Sequence, residues 1–228
     1  MNAINGAIVL VAALTVAGCT TCSQPDSDGW KDVFDKGLAN AEMDGGSGWR
    51  YDDDGFLTPT NKSKILSRES YGPNFDLDCV YKLGSAGNSG LYIYDSDHPK
   101  AKIEIQMLDD FHPQYQGKQK RHQMTGSLYG HSAATKVCSK PAGEWNRMQV
   151  SCRGKSVKVW VNGEQVIDED LSKFVDAVRN PDGTETPLAQ RTFMPWAQIP
   201  TRGKVGFQGV HGGGAVFVKS FRIREVGK

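Results

Sequence analysis

The chain has 228 residues, of which 27 are Lys or Arg and 26 are Asp or Glu, and its mean hydropathy is −0.48. A formal net charge of +1 gives no general attraction for nucleic acid or an anionic membrane, so polyanion binding is disfavoured as the function. The 26 glycines and 10 prolines predict many tight turns, which favours a β-rich fold over a helical bundle.

The N-terminus carries an unbroken apolar or small stretch, residues 8–17, that ends at Gly18-Cys19. It is too short to cross a bilayer as a helix but has the length of a signal-peptide core. Residues 16–19 resemble a bacterial lipobox, in which the cysteine is lipidated. We therefore predict a lipoprotein signal peptide over residues 1–18, lipidation of Cys19, and a flexible tether over residues 19–28 at the bacterial cell envelope. Because residues 1–7 carry no Lys or Arg, a plain signal peptide or a short buried strand stays an alternative.

Once Cys19 is set aside, four cysteines are left, Cys22, Cys79, Cys138 and Cys152, and they allow three pairings. An exported protein can keep disulfides. Cys79 and Cys152 nevertheless occupy strand positions where a small buried hydrophobe would serve, so free buried thiols are the alternative. The sequence does not choose between them.

The rest of the chain shows the period-two alternation of strands. Predicted strands cover residues 75–83, 91–94, 102–107, 148–152, 157–161, 164–167, 203–210 and 215–226. Asn162-Gly163 predicts a type I′ hairpin turn, residues 171–178 a short helix, and residues 179–202, with four prolines, a long loop. Many short strands without alternating helices predict one all-β domain over residues 29–226, built as a β-sandwich.

A polar row on one strand is the first chemical signal. Ile103, Ile105 and Met107 share the face expected in the core, so Glu104 and Gln106 point outward. Asp109 lies on the other side by parity, and joins them only if a bulge at Leu108 turns it. The same outer face is expected to collect three aromatic residues, Tyr92, Tyr94 and Trp160. Aromatic rings beside carboxylates and amides suit sugar binding, although a plain solvated face has the same pattern.

Short motifs are spread along the chain, at residues 29–34, 48–49, 54–57, 65–66, 71–72, 75–77, 87–92, 104–109, 125–130, 140–146, 160–163, 206–212 and 216–223. Together they resemble the 3-keto-disaccharide hydrolase family. The resemblance implies a concanavalin A-like jelly roll of two antiparallel sheets, with a ligand groove on the concave sheet. It also implies an exported bacterial enzyme that acts on glycosides already oxidised to a ketone at carbon 3.

The sequence departs from the family pattern at one candidate site segment. The motif usually seen as Leu-Gln-Asp-His-Gly reads Phe207-Gln208-Gly209-Val210-His211-Gly212 here, with one extra residue and no Asp. Strict alternation makes Gln208 and His211 face opposite ways. A bulge around Gly209 is needed to bring both into one groove. The loop over residues 179–202 is also longer than the pattern.

A ketone at carbon 3 acidifies the proton on carbon 2, so a base can remove it and the group on carbon 1 can leave by elimination. Such a site needs a base, a group that stabilises the enolate oxygen, and an acid for the departing oxygen. His211 is the candidate base or acid, with Glu104 as the alternative base; Glu104, Asp109 and His211 together are an alternative divalent-metal set. The candidate substrate-binding residues are Gln106, Gln208, Asn88, Tyr92, Tyr129 and Trp160.

Two other functions stay open at this point. A laminarinase-type glycoside hydrolase shares the sandwich, but Gln106 and Asp109 stand where that group has Asp and Glu. A carbohydrate-binding module without catalysis is the other alternative, favoured if the altered segment at His211 has lost its function. The expected partners are a 3-keto sugar, a membrane only through the lipid anchor, and an oxidoreductase that supplies the keto sugar.

Overall fold

The computed structural model describes residues 28–97, 100–191 and 193–227. Within these residues the secondary structure consists of thirteen β-strands and four short 3-10 helices. The strands are β1 Lys31–Asp32, β2 Ala41–Met43, β3 Trp49–Tyr51, β4 Leu57–Pro59, β5 Ile65–Ser67, β6 Asn74–Leu83, β7 Asn88–Asp97, β8 Lys100–Leu108, β9 Asn146–Arg153, β10 Ser156–Val161, β11 Glu164–Asp170, β12 Lys204–Phe207 and β13 Val216–Glu225. The 3-10 helices are Asp44–Gly46, Arg121–Gln123, Leu171–Lys173 and Leu188–Gln190.

The described strands form two antiparallel sheets. The larger has eight strands in the order β11-β10-β9-β6-β13-β4-β3, with β1 added beside β13. The smaller has five strands in the order β2-β5-β12-β7-β8. Long strands adjacent in the chain pair directly, as β7 does with β8 and β10 with β11, whereas β13 crosses to pair with β6 in the middle of the larger sheet.

The hydrophobic core lies between the sheets because each long strand alternates inward and outward residues. On β6 every second side chain is buried, from Phe75 through Leu77 and Cys79 to Tyr81 and Leu83. The smaller sheet contributes Ile103, Ile105 and Met107 of β8 to the same core, and all three are fully buried. Full burial of one such apolar side chain stabilises the fold by about 1.5–3 kcal/mol. The predicted all-β sandwich is confirmed.

The predictions for individual elements have mixed outcomes. Asn162 and Gly163 have φ values of 53° and 87°, so the β10–β11 hairpin has the predicted turn with two left-handed residues. The helix predicted over residues 171–178 is wrong: only the single 3-10 turn Leu171–Lys173 forms. The stretch from 179 to 202 is a loop that, in its described part, contains the 3-10 turn Leu188–Gln190. The strand expected over 203–210 ends early, at Phe207.

The N-terminal predictions lie outside the described residues. The signal peptide, Cys19, Cys22 and the tether up to residue 27 belong to that part of the chain. Among the described cysteines, Cys79, Cys138 and Cys152 are free thiols, with Cys79 and Cys152 in the core. Within the same described ranges, no helix has the length and apolar character needed to span a bilayer.

Candidate functional site

A cleft of about 500 Å³ opens on the outer face of the five-stranded sheet, and we call it the Glu104 cleft. Its volume lies in the range of small-molecule sites. Its lining residues are Asp44, Lys62, Lys64, Asn88, Tyr92, Lys102, Glu104, Gln106, Tyr129, Ala189, Gln190, Phe193, Gln208 and His211. It therefore brings together Glu104, His211 and five of the six predicted substrate-binding residues.

The pairing of β7 with β8 sets the floor of this cleft. Tyr92 lies opposite Glu104, and Gly90 lies opposite Gln106. Since side chains alternate along each strand, the even-numbered residues from Asn88 to Tyr92 on β7 and from Lys102 to Gln106 on β8 point away from the core. The outward direction predicted for Glu104 and Gln106 is confirmed, although both are buried by the cleft walls, at 6% and 2% exposure.

Gly90 provides the space into which Glu104 folds. A Cβ atom on Gly90 would lie 2.5 Å from Oε1 and 2.6 Å from Cγ of Glu104. The carboxyl group therefore lies directly over the bare backbone of β7, a close approach that only glycine permits. Gly90 belongs to the site, although it offers no functional group for a sequence search to find.

The Glu104 carboxyl is held in a poorly hydrated place with one nearby cation. Burial raises the pKa of Glu104 to about 7, and the Lys102 ammonium, whose Nζ lies 3.8 Å from Oε2, offsets only part of that rise. Lys102 Nζ also donates a 3.5 Å hydrogen bond to the Tyr92 hydroxyl and lies 4.5 Å from the Tyr92 ring centroid. Near neutral pH the site thus has a carboxyl group that exchanges its proton and a cation beside it.

Gln106 leaves a hydrogen-bond acceptor without a partner at the cleft floor. Its Nε2 donates to Asn88 Oδ1 at 3.3 Å. No described residue donates to its Oε1, which is itself buried. Because an unpaired buried acceptor costs free energy, the site favours a ligand that brings a hydroxyl donor to this oxygen.

A bulge after β12 turns Gln208 and His211 into the same cleft. The Gln208 N–H donates to the Gly90 carbonyl at 2.9 Å, and the His211 N–H donates to the Asn88 carbonyl at 3.2 Å. The chain thus advances three residues where β7 advances two, so one residue between them is extra. Gly209 lies at this point, packed so closely that a Cβ would come within 2.5 Å of the Asn61 carbonyl oxygen. The bulge at Gly209 therefore accommodates the extra residue of the Phe207–Gly212 motif.

His211 and Tyr129 stand at the walls. Loss of water around the imidazole, followed by the positive charges of Lys62 and Lys102, lowers the pKa of His211 below its usual value. His211 is therefore neutral at neutral pH and can accept a proton. The backbone N–H of Tyr129 donates to the backbone carbonyl of Glu104 at 2.8 Å. The Tyr129 hydroxyl accepts a hydrogen bond from Gln123 Nε2 at 3.2 Å.

Asp109 is not in this cleft, which corrects its prediction as a site residue. The β7–β8 register shows no bulge at Leu108, so Asp109 keeps the opposite parity. Its Oδ2 accepts a 3.0 Å hydrogen bond from the Ala86 N–H. The predicted metal set of Glu104, Asp109 and His211 is therefore not assembled. In the described part of the chain, no three His, Cys, Asp or Glu residues are grouped closely enough to hold a metal ion.

Two aromatic residues expected on this face also lie elsewhere. β7 has an irregularity between Ile93 and Ser96, and Tyr94 has a φ of 53°. This bulge turns Tyr94 into the core, where its hydroxyl donates to the Gly154 carbonyl at 3.1 Å. Trp160 faces outward as predicted, but β10 belongs to the larger sheet, so the indole lies on the opposite side of the sandwich.

Sequence reasoning missed several cleft residues. Lys102 shares the parity of Glu104 on β8, and that parity was the available signal. The long loop supplies Gln190 and Phe193, and Phe193 lies 5.4 Å from the Lys102 ammonium, measured from its ring centroid. No local pattern indicates that this loop folds back over the smaller sheet.

The family of the chain follows from comparison with known proteins. Residues 26–224 match the family described as the 3-keto-alpha-glucoside-1,2-lyase-like domain. The chain belongs to this family. The resemblance inferred from the dispersed motifs is confirmed. Among curated proteins, none matches the chain.

Solved structures of the same kind come from Parabacteroides distasonis. One, named a “putative glycosyl hydrolase”, is 33% identical with a TM-score of 0.77, and the match covers 86% of this chain and 99% of that one. A second with the same name is 24% identical with a TM-score of 0.64, covering 88% and 95%. Peanut lectin is 12% identical with a TM-score of 0.52, covering 85% and 94%, and shows the fold alone. The concanavalin A-like jelly roll is therefore confirmed.

Proposed function

We propose that this member of the family processes carbohydrate as a glycosidase that cleaves 3-keto-glycosides in the Glu104 cleft. The observation that carries the proposal is a buried carboxyl group with a pKa of about 7 that shares one cleft with a neutral imidazole and a lysine ammonium. Two titratable groups whose environments push their pKa values in opposite directions are the usual arrangement for acid–base chemistry. Family membership supports the substrate class, and the similarity to the 33% identical Parabacteroides structure supports a glycosidase.

The reaction that fits these groups is an elimination. Neutral His211 takes the proton from carbon 2, and the C–H electron pair forms an enolate with the carbon 3 ketone. When the ketone re-forms, a double bond develops between carbons 1 and 2, the bond from carbon 1 to the leaving oxygen breaks, and protonated Glu104 gives that oxygen a proton. Water can then add across the new double bond. Lys102 and Tyr92 stabilise the enolate oxygen in this scheme.

The remaining polar groups orient the sugar. Gln106 Oε1 accepts a hydrogen bond from a sugar hydroxyl, while Asn88, Gln208 and Tyr129 take the neighbouring ones. Holding the ring in one pose is worth several kcal/mol of the barrier, because reaction requires carbon 2 and the base to be aligned.

The experiment is release of nitrophenol from a nitrophenyl 3-keto-glucoside and from its unoxidised parent. We expect release from the keto sugar alone, unchanged by a chelator, and a loss of at least about 100-fold in His211→Asn and in Lys102→Met. Glu144→Gln changes an exposed carboxyl that does not line the cleft; it is the matched control and should release nitrophenol as fast as the unmutated enzyme. Release from the parent glycoside would contradict the proposal and indicate a conventional glycoside hydrolase. Binding without release would indicate a carbohydrate-binding module, and loss with chelator would restore the metal alternative.

We further propose that the enzyme is exported and lipid-anchored through Cys19 at the bacterial cell envelope, and that a separate oxidoreductase supplies its keto sugar. Support comes from the apolar stretch and the lipobox-like residues 16–19. Metabolic labelling with a palmitate analogue tests the anchor. We expect the full-length protein to be labelled and the Cys19→Ala variant to carry no label. A full-length protein without label would contradict the proposed anchor.

A further inference from the structure

A second cleft of about 450 Å³ lies on the outer face of the eight-stranded sheet, on the opposite side of the sandwich from the Glu104 cleft. We call it the outer cleft. Its lining residues are Trp30, Asp76, Leu77, Gln149, Val150, Ser151, Trp160, Gly163 and Arg224. Nothing in the elimination chemistry of the Glu104 cleft uses these residues.

The floor of the outer cleft is built around Asp76. Its Oδ2 accepts from Arg224 Nη2 at 2.9 Å, and its Oδ1 lies 2.8 Å from Arg153 Nη2. Partial burial acts to raise the pKa of Asp76, but hydrogen bonds from Arg224, Arg153 and Ser151 hold it below the usual value. The carboxylate is therefore charged at neutral pH and holds the Arg224 guanidinium in place. Between them these groups offer hydrogen-bond donors and acceptors in a preset arrangement.

One hydrogen-bond donor in this floor, Arg224 Nε, has no acceptor among the described residues. This nitrogen is buried from solvent. The charged residues of the lining are Asp76 and Arg224, so the lining itself has no net charge, while Arg153 outside it pairs with the other oxygen of Asp76. An uncharged oxygen acceptor is the partner that suits this donor.

Aromatic rings stand at both ends of the floor. Arg224 lies 4.8 Å from the ring centroid of Trp30. At the other end Trp160 lies opposite Gln149, and the line of pairing runs on across β9 and β6 to β13. Three strand spacings separate β10 from β13, about 14 Å. The cleft is thus long, aromatic at its ends and polar between them.

We propose that the outer cleft binds a neutral oligosaccharide. Indole rings stack on the apolar C–H faces of sugar rings, and the polar floor supplies partners for hydroxyl groups between them. The length favours several linked rings over a single one, and the balanced lining charge favours a neutral glycan. Through this second site the enzyme holds a glycan chain without cleaving it.

The test follows the indole N–H signals of the 15N-labelled protein during titration with neutral trisaccharides: maltotriose, cellotriose, xylotriose and mannotriose. Each of the five tryptophan signals is assigned by single Trp→Phe substitutions. With at least one trisaccharide, the Trp160 and Trp30 signals are expected to shift saturably in the millimolar range or below, while the Trp145 signal stays unchanged. Trp160→Ala should weaken this binding by about tenfold or more, since it removes a stacking ring.

Trp145→Ala is the matched control, because Trp145 lies outside the lining of the outer cleft. Trp160→Tyr, which keeps an aromatic ring, retains binding if Trp160→Ala fails to fold. Turnover of the keto substrate should be unchanged in all three variants, so failure of the outer cleft and failure of the proposed activity are distinguishable. No saturable shift at Trp160 with any trisaccharide overturns the proposal. So does a shift produced by inorganic phosphate but not by sugar, which would make the cleft an anion site.

Discussion

Two carboxyl groups on opposite faces of the sandwich, Glu104 and Asp76, have pKa values that are shifted in opposite directions by their surroundings. Glu104 is 6% exposed with one lysine at 3.8 Å, and burial raises its pKa to about 7. Asp76 accepts hydrogen bonds from Arg224 and Arg153, and its pKa lies below the usual value despite partial burial. The first carboxyl group can gain and lose a proton near neutral pH, whereas the second stays ionised.

This difference indicates that Glu104 is arranged for acid–base chemistry and Asp76 for structure. Both lie on outward-facing strand positions, so neither position nor residue type separates them. What separates them is the number of hydrogen-bond donors that reach the ionised form and the amount of water that each wall excludes.

The largest expected effect is on turnover in Glu104→Gln. Loss of a positioned general acid lowers kcat by about 10²–10⁴-fold, because the leaving oxygen departs without a proton. The folded protein should be as stable as the parent or more stable at pH 8, since an amide has no charge to desolvate. Steady-state kinetics on the keto substrate and thermal unfolding measure the two. A variant with near-normal kcat would remove Glu104 from the mechanism.

The next effect comes from Gly90→Ala, which leaves every functional group in place. The new methyl group would meet the Glu104 carboxyl at 2.5 Å, so the carboxyl must shift by about an ångström, and a misplacement of that size costs about 100-fold in rate. Gly37→Ala is the matched control, because its nearest neighbour would be at an ordinary 3.5 Å. Equal kcat values in the two variants would show that Glu104 needs no fixed position.

The contrast also predicts opposite pH dependences of stability. The folded-state pKa of Glu104 is raised, so its contribution to the free energy of unfolding is fully present below the unfolded value of 4.5 and is lost as pH rises through about 7, by at most about 3 kcal/mol. The pKa of Asp76 is lowered, so its contribution is present above 3.8 and is lost as pH falls through the folded value. Urea unfolding from pH 3 to pH 8, compared with Glu104→Gln and Asp76→Asn, measures both. The same sign for both residues would contradict the contrast.

Alternation along β8 was enough to predict that Ile103 faces the core and Glu104 faces outward. It failed on β7, where a one-residue bulge turns Tyr94 inward, because nothing in the local sequence marks that bulge. It also failed for Trp160, whose outward direction was right but whose sheet depends on pairings between distant strands. Gly90 was missed for a third reason: it contributes no functional group, and its role is to leave space for the Glu104 carboxyl. The fold therefore followed from local pattern, whereas the membership of the cleft followed from long-range topology.

The smallest effect is expected in Asp76→Asn. The amide keeps the shape but loses the charge that pairs with Arg224 and Arg153, and partly solvated ion pairs of this kind contribute about 1 kcal/mol. Asp168→Asn on the same face, which breaks an exposed pair with Lys158, is the matched control and should cost less. Chemical unfolding at low and high salt measures both losses, and the Asp76 loss should shrink with salt. Turnover of the keto substrate should stay unchanged, because this carboxylate lies across the sandwich from the Glu104 cleft. A fall in kcat with stability intact would show that the two faces are coupled and that the structural role assigned to Asp76 is wrong.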